Sequence, residues 1–409
     1  MGLLRMDLRK DGRILYISSI DISRADGPGI NEREFTVELC NVFGERAHIL
    51  VPEPKNPLED VNGRNFSFCK GHQHYKPLAF FQHQLSQIRW ADILIKSGKF
   101  NFLIFRINIL PLNQIYISRR YKIPYAIKTL GAGLINILGQ RGGMIGKVLK
   151  PFNEKLVKDL TARATAIDVC TEVYASFFPE RLSLDPLKVR WIENATNTDR
   201  FHLIDKATAR SVCGLSAFEP IVGFVGSLPW ERGGTQMLEI APRLLSQYPT
   251  LGIVIVGGEG GQLDRLRQQA LELGIAAHCV LPGVVPYERV PYFINAFDVG
   301  ISFDTTTRLT QIGNSSQKVR QYIACGKPVV SGPGGNLFLE EEGLGTIVNP
   351  DDIDQITNAV NKWLSLTDRE KEAHSHRAVN YAQKHLSISK ALNDRLEFWN
   401  ERLQIVGQE

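Results

Sequence analysis

The 409-residue chain has few cysteines, no C-x-x-C pair and no long uninterrupted apolar run. Its six scattered cysteines support neither a zinc site nor a disulfide framework, so a reducing compartment is expected. The first residues, MGLLRMDLRKDGR, lack the apolar core of a signal peptide. The longest apolar stretch begins at Phe100 and is broken by Arg106, Asn108 and Pro111, whereas a membrane span needs about 20 apolar residues. These absences predict a cytoplasmic protein.

Internal repeats and low-complexity segments are also missing, and the composition is that of an ordinary globular protein. Apolar residues make up 43% of the chain and charged residues 22%, which excludes a disordered, collagen-like or membrane-embedded protein. The length predicts two domains, because single cores rarely grow beyond about 250–300 residues.

Short apolar runs alternate with amphipathic stretches along the chain, a pattern typical of parallel sheets crossed by helices. The pattern predicts an α/β fold, with strands in the first half that include RILYISSI (13–20) and ADILIKS (91–97). The expected boundaries are a first domain over 1–195, a second over 196–385 and a final helix over 386–409. A ligand is then expected between the domains, at the carboxyl ends of the strands.

The first strand is followed by a short segment rich in turn-forming residues. Gly27, Pro28 and Gly29 predict a loop, and Asn31 three residues before Glu34 predicts the N-terminal cap of the next helix.

A glycine-containing turn from Gly226 to Gly234 follows the first strand of the second domain and leads into a helix. Glycines let backbone N–H groups approach an anion, and the helix N-terminus favours negative charge. Arg232 adds a guanidinium suited to phosphate. A purely structural strand-to-helix turn also uses glycine, and both interpretations stay open here.

The second glycine turn, Gly257-Gly258-Glu259-Gly260-Gly261, does not fit G-x-G-x-x-G, because Leu263 occupies the last glycine position. A nicotinamide or flavin dinucleotide site is therefore disfavoured. Close packing of the turn explains these glycines as well as ligand contact does.

The stretch SSQKVRQYIACGKPVV predicts a helix that begins with capping serines at 315 and 316 and ends at Gly326. Lys318 lies in its first turn, where a cation opposes the helix dipole unless something negative is nearby. This position indicates a phosphate near Lys318, although a solvated surface lysine is the alternative.

Five motifs of the second half resemble those of retaining nucleotide-sugar glycosyltransferases of the GT-B fold, the large "group 1" family. The motifs are GFVGSLPWERGG, IVIVGGEGG, LPGVVPYERVPYFINAFDVGIS, SSQKVRQYIACGKPVVSGPGG and GTIVNPDDIDQI. The resemblance is dense over about 190–365 and weaker over 13–50. It implies two Rossmann-like domains facing a central cleft, and transfer of a sugar from a nucleoside diphosphate to an acceptor hydroxyl with retention. It also implies that the last helix crosses back to the first domain.

The resemblance further implies where the donor diphosphate binds. Arg232 matches the family's lysine before glycine, and Lys318 matches the lysine of the later helix, so both would stabilise the departing diphosphate. Backbone N–H groups at Gly226 and Ser227 would assist, and Ser227 stands where the family has arginine. These cations make a divalent metal unnecessary, so no cofactor is expected.

The sugar and ribose contacts depart from the family pattern. Gln321 and Gly313 stand at the two glutamates of the family's E-x7-E pair, which leaves Gln321 with amide hydrogen bonds alone. Gly334 and Gly335 match a turn near the sugar or phosphate, and Gly257 and Gly258 complete the donor-binding set.

In the first domain, Gly27, Pro28 and Gly29 match a loop that faces the acceptor and the donor phosphate. Many relatives carry a histidine after a central strand of this domain, and the corresponding segment 126–131 has none. The histidines elsewhere, His72 and His74 included, form no metal-binding spacing. Asp352-Ile353-Asp354 resembles a metal-binding D-x-D motif, but its place at a helix start favours capping.

The segment 89–163 is strongly basic, with 14 lysines and arginines against Asp92, Glu154 and Asp159. This excess predicts an anionic partner, such as a lipid-linked acceptor or a peripheral contact with an anionic membrane during polysaccharide or glycolipid synthesis. Well-solvated helix faces are the alternative.

Two other function classes stay open. One is a catalytically degenerate GT-B binding protein, motivated by the two missing glutamates, and the other is a sugar-nucleotide epimerase. A nucleic-acid partner is not expected, because no nucleic-acid motif accompanies the positive charge.

Overall fold

The computed structural model describes residues 6–24, 26–55, 58–70, 77–128, 143–227, 230–258, 260–304 and 315–406. The chain divides into two compact units, one containing 1–24, 28–193 and 389–409, and the other containing 25–27 and 194–388. Each unit is built around one parallel sheet.

The strands of the first unit form a seven-stranded sheet in the order β3-β2-β1-β4-β5-β6-β7. They are β1 Ile14–Ile17, β2 Ala47–Pro52, β3 Phe66–Cys69, β4 Phe102–Arg106, β5 Tyr125–Lys128, β6 Ala166–Val169 and β7 Val189–Trp191. The second unit has a six-stranded sheet in the order β10-β9-β8-β11-β12-β13. Its strands are β8 Ile221–Val225, β9 Gly252–Val256, β10 Cys279–Gly283, β11 Val299–Ser302, β12 Val329–Ser331 and β13 Gly345–Ile347.

The described helices connect these strands and follow the last one. In the first half they are α1 Leu8–Asp11, α2 Gly27–Phe43, α3 Pro77–Gly98, α4 Leu112–Tyr121, α5 Gly143–Ala162 and α6 Glu172–Leu182. In the second half they are α7 Lys206–Cys213, α8 Thr235–Leu245, α9 Gly261–Glu272, α10 Val290–Ala296, α11 Gln317–Ala324, α12 Phe338–Glu341, α13 Ile353–Leu364, α14 Asp368–Tyr381 and α15 Ile388–Val406. Both sheets are doubly wound and parallel, which confirms the predicted α/β class with two Rossmann-like sheets.

Strands β1, β8 and β9 consist of apolar residues and glycine, because a parallel sheet is covered by helices on both faces. Strands β8 and β9 are fully buried, and the core of the second unit continues into one face of α8 and one face of α13. Asp352 caps α13 by accepting a hydrogen bond from the Gln355 N–H, as predicted.

The predicted loop at Gly27, Pro28 and Gly29 is wrong, because these residues form the first turn of α2. Proline is well tolerated there, since the first N–H groups of a helix have no partner within it. Asn31 is therefore not a cap but a buried helical residue, and its Oδ1 accepts a hydrogen bond from Lys128 Nζ at 3.1 Å.

The strand predicted over 91–97 is also wrong, because this segment is the end of α3. Strand β3 had no sequence counterpart in the prediction. Helices α7 and α12 of the second unit likewise had no counterpart in the prediction.

Helix α15 belongs to the same unit as the first sheet. Trp399 packs 5.8 Å from the Phe102 ring, and Arg395 Nε donates to Asp168 Oδ2 at 2.9 Å. Arg395 and Asp168 are both buried, so this ion pair fixes α15 against the end of β6.

Candidate functional site

The strand order of the second sheet changes direction between β8 and β11. In doubly wound sheets, ligands bind outside the carboxyl ends of the strands at such a point. Gly226 follows β8 directly, and Phe303 and Asp304 follow β11. The residues that the sequence indicated as donor-binding lie on the turns and helices at this edge.

The turns after β8 and β9 are packed directly against each other. A Cβ at Gly257, whose φ is +101°, would lie 2.1 Å from the Gly226 carbonyl oxygen. The Gly226 N–H donates to the Val256 carbonyl at 2.9 Å, and the Gly257 N–H donates to the Gly283 carbonyl at 2.7 Å. The close-packing interpretation therefore applies to Gly257, and the Gly226 N–H, expected to face phosphate, is already engaged within the sheet.

Lys318 lies in the first turn of α11 and points to the carboxyl end of β8. Its Nζ is 4.1 Å from the centroid of the Phe224 ring, and a Cβ at Gly226 would lie 3.1 Å from it. The side chain is almost fully buried. The structure thus brings the predicted cation and the predicted glycine turn together.

The predicted serine caps of this helix are wrong in detail. Helix α11 begins at Gln317, and Ser316 occupies the N-cap position without a capping hydrogen bond from its side chain. The Ser316 hydroxyl instead lies 3.3 Å from the Ser302 hydroxyl at the end of β11. Contact with the strand end therefore replaces the cap.

Tyr322, which the sequence interpretation overlooked, fixes α11 to the strand ends. Its hydroxyl accepts a hydrogen bond from the Val225 N–H at 2.9 Å and donates to the Ile301 carbonyl at 3.4 Å. Burial raises the pKa of Tyr322 well above its ordinary value. The neutral Tyr322 hydroxyl thus links α11, the helix that carries Lys318, to strands β8 and β11.

Arg232 lies in the kinked turn Trp230–Gly234 and faces β11. Its Nε is 3.4 Å from Asp304 Oδ1, and its carbonyl accepts a hydrogen bond from the Phe303 N–H at 3.3 Å. Gly233 has φ +116°, and a Cβ there would lie 3.0 Å from Ile301. Asp304 was overlooked, although its place directly after a buried strand was a usable signal.

Arg320 organises the turn that contains Gly334 and Gly335. This buried guanidinium donates to the Ser316 carbonyl at 2.9 Å and to Asn336 Oδ1 at 3.1 Å. It also lies 3.5 Å from the Gly335 carbonyl. The glycine turn therefore lies next to α11, and its support by an arginine was not predicted.

Three further predicted residues have different surroundings. Gln321 is buried on α11, one turn after Lys318, whereas Ser227 is exposed and Gly258 is buried. Gly313 lies outside the described residues, as do His72, His74 and the segment 129–131.

In the first unit, three charged residues meet at the carboxyl ends of the central strands. Glu32 Oε2 lies 3.5 Å from Lys128 Nζ and 3.8 Å from Arg106 Nη1, and all three side chains are buried. The Tyr16 hydroxyl donates to the other oxygen of Glu32 at 2.5 Å. Sequence reasoning missed this cluster, because Lys128 and Arg106 had been counted as surface charge.

The pKa values of this cluster reflect burial and mutual attraction. Burial lowers the pKa of Lys128 to about 7, although Glu32 opposes this shift. Burial also opposes ionisation of Glu32, but Lys128 and Arg106 outweigh it and hold the pKa of that carboxyl below its ordinary value.

Across the described residues, no three histidines, cysteines or carboxylates are grouped as metal ligands. Among the helices listed above, none combines the length and apolarity needed to cross a bilayer.

The second unit is similar to known proteins. Residues 205–385 match the family model of glycosyl transferases group 1. A GDP-mannose-dependent alpha-(1-6)-phosphatidylinositol monomannoside mannosyltransferase of Mycolicibacterium smegmatis is 31% identical over 41% of this chain and 45% of that protein. A D-inositol 3-phosphate glycosyltransferase of Acidothermus cellulolyticus is 28% identical over 50% of this chain and 47% of that protein. The matches thus span less than half the length of these relatives.

Solved structures resemble the whole chain in fold. Sucrose-phosphate synthase from Thermosynechococcus elongatus superposes with a TM-score of 0.71 at 15% identity, covering 95% of this chain and 98% of that one. Anabaena HepE, solved with UDP and glucose, gives a TM-score of 0.68 at 16% identity, covering 94% and 98%. The predicted GT-B fold is confirmed.

Proposed function

Because residues 205–385 match the family model of glycosyl transferases group 1, we propose that the chain transfers a hexosyl-type sugar from a nucleoside diphosphate to an acceptor hydroxyl with retention. The nucleotide-sugar is assigned to 196–385 and the acceptor to 1–195. The observation that carries this proposal is the Lys318 ammonium, 4.1 Å from the Phe224 ring at the end of β8.

Breaking the anomeric bond leaves negative charge on the departing diphosphate. Lys318 is held by α11 before the reaction begins, so it stabilises that charge without having to reorganise. Its burial strengthens the interaction, because charges attract more strongly away from water. Arg232 supplies a second cation, whose positive charge Asp304 partly offsets.

Two cations at the diphosphate make a divalent metal unnecessary in this proposal. Retention follows when the acceptor attacks from the face that the diphosphate leaves, and the departing phosphate then accepts the acceptor's proton. No side chain is assigned as a nucleophile. The glycines at 334 and 335 allow the backbone near α11 to approach the sugar.

The acceptor is proposed to be a saccharide or a lipid-linked molecule of cell-surface polysaccharide or glycolipid synthesis. Two relatives, one named for a phosphatidylinositol monomannoside and the other for D-inositol 3-phosphate, support an anionic acceptor.

A second function, nucleotide binding without turnover, is favoured by one observation. Gln321 is buried beside Lys318, where the family has a glutamate that makes charge-assisted hydrogen bonds. Such a protein would bind a nucleoside diphosphate and transfer nothing.

The test is turnover of the full chain with UDP-, GDP- and ADP-sugars and a lipid-linked or saccharide acceptor. We expect Lys318→Ala to lower kcat about 100-fold or more, because removal of one preorganised charge donor has effects of that order. The matched control is Lys384→Ala, an exposed lysine of the same unit, which should leave kcat unchanged.

Unchanged turnover of Lys318→Ala at saturating donor would overturn its assigned role. Binding of a nucleotide with no turnover of any donor would favour the second function instead, and donor conversion without acceptor would indicate an epimerase.

A further inference from the structure

Helix α5 exposes an apolar row along one face. Met144, Val148 and Phe152 follow each other at intervals of four residues and therefore share that face. Their exposed fractions are 84%, 72% and 49%. Large apolar side chains on a protein surface are common singly, whereas a contiguous row indicates an interaction surface.

Helix α3 of the same unit has a similar exposed row. Phe81, Leu85 and Ile93 lie on one face of this helix and are exposed. Helix α4 links the two, because Tyr121 donates to Asp92 on α3 at 2.5 Å and Arg119 pairs with Asp159 on α5 at 2.9 Å. The two apolar rows therefore belong to one layer of helices.

Basic residues accompany both apolar rows. Lys147 and Lys155 are exposed on α5, and Arg89 and Lys96 are exposed on α3. The face thus combines apolar side chains with positive charge.

The acidic residues of 89–163 do not neutralise this face, because each already has a basic partner. Asp92 lies 3.9 Å from Arg120, and Glu154 lies 2.7 Å from Arg181. Asp159 pairs with both Arg119 and Arg163. The lysines named above are therefore available to an external anion.

We propose that the exposed faces of α3 and α5 form a docking surface for an anionic lipid bilayer. Apolar rows lying along helices, flanked by lysine and arginine, match the interface of a bilayer, where apolar side chains enter the acyl boundary and cations meet the headgroups. A second copy of the chain fits less well, because it would bring like charges together. The surface is independent of the donor site, so its failure leaves the proposed transfer reaction untouched.

The experiment is flotation of the full chain with vesicles, without donor or acceptor. One set contains phosphatidylcholine alone and the other contains about one third phosphatidylglycerol. We expect binding to the anionic vesicles, weakened by salt because surface charges are screened. Binding that is equal on both vesicle types, or absent from both at low salt, would overturn the proposal.

Variants locate the surface. Val148→Asp combined with Phe152→Asp should lower the bound fraction at least 10-fold, and Lys147→Glu combined with Lys155→Glu should abolish the preference for anionic lipid. The matched controls are Leu271→Asp, at a site 63% exposed on α9, and Lys10→Glu, both of which should bind like the unchanged chain.

Unchanged melting temperatures would show that the exposed substitutions leave the fold intact. Equal loss in the control variants would overturn the assignment to α3 and α5. A dimer that Val148→Asp dissociates, without vesicle binding, would identify a second copy as the occupant and would also overturn it.

Discussion

Lys318 and Arg232 both carry positive charge near the end of the second sheet, but their surroundings differ. Lys318 lies over the Phe224 ring, whose face attracts a cation. Arg232 faces the buried carboxylate of Asp304 at 3.4 Å. We therefore expect Arg232 to stabilise a departing diphosphate less than its formal charge suggests, which equal counting of basic residues in the sequence does not reveal.

A buried histidine in the second unit gives a prediction at the same scale. His374 Nε2 donates to the Leu344 carbonyl at 3.3 Å, and the ring packs 5.0 Å from Trp363. Burial lowers its pKa from 6.5 to about 4. Between these two values the unfolded chain binds a proton that the folded chain does not, so the free energy of unfolding falls as the pH falls.

This proton binding lowers the free energy of unfolding by about 2 kcal/mol between pH 7 and pH 5. We expect His374→Gln to remove that part of the pH dependence, measured by denaturant unfolding at both pH values. His376→Gln, an exposed histidine on the same helix, is the control and should retain the full dependence. Equal pH dependence in His374→Gln and the unchanged chain would contradict the assignment.

At the scale of elements, secondary structure predicted from the sequence is wrong where tertiary contacts outweigh the local residue pattern. The segment 91–97 has the apolar character of a strand, yet α3 buries a face that includes the polar side chains His83, Gln84 and Gln87. His83 lies 2.9 Å from the Ser19 hydroxyl, and Gln87 donates to the Ser18 carbonyl at 2.6 Å. The buried face of α3 is polar in its first half and apolar only in its second half, so the apolar periodicity that predicts a helix is incomplete.

The start of α2 was missed for a similar reason. Asn31 resembles a cap in sequence, but its amide oxygen is bound by Lys128 from β5. By contrast, the strands and glycine turns of the second unit were predictable, because buried parallel strands are continuous apolar runs and the following turns contain glycine.

The contact between the two glycine turns of the second unit gives a prediction for stability. A Cβ at Gly257 would meet the Gly226 carbonyl oxygen at 2.1 Å and its carbon at 2.8 Å, both of them backbone atoms. We expect Gly257→Ala to lower the free energy of unfolding by at least about 2 kcal/mol and to weaken nucleotide binding, because the turn must shift.

The control for this substitution is Gly261→Ala at the start of α9, where a Cβ meets open space. Its effect on the free energy of unfolding should stay within about 0.5 kcal/mol. Equal free energies of unfolding for the two variants in urea would show that the contact between the turns does not contribute to stability.

On the scale of the whole molecule, the net charge of a segment overstates its surface charge. Arg106 and Lys128 belong to the basic segment 89–163, yet both are buried with Glu32 and contribute nothing to an external surface. The sequence therefore predicted the sign of the exposed charge but not its location. The apolar rows beside it needed a structure, because exposure of Val148 or Ile93 cannot be inferred from residue type.

The central claim is that the second unit binds a nucleoside diphosphate next to Lys318. Its most direct test is the melting temperature of the full chain with UDP, GDP and ADP in the absence of magnesium, compared with Lys318→Ala. At about 100 times its dissociation constant, a bound nucleotide adds about 2.7 kcal/mol and raises the melting temperature by at least about 2 °C. We predict that one nucleotide produces this rise and that Lys318→Ala abolishes it. A melting temperature that no nucleotide changes, or an equal rise in Lys318→Ala, would contradict the claim.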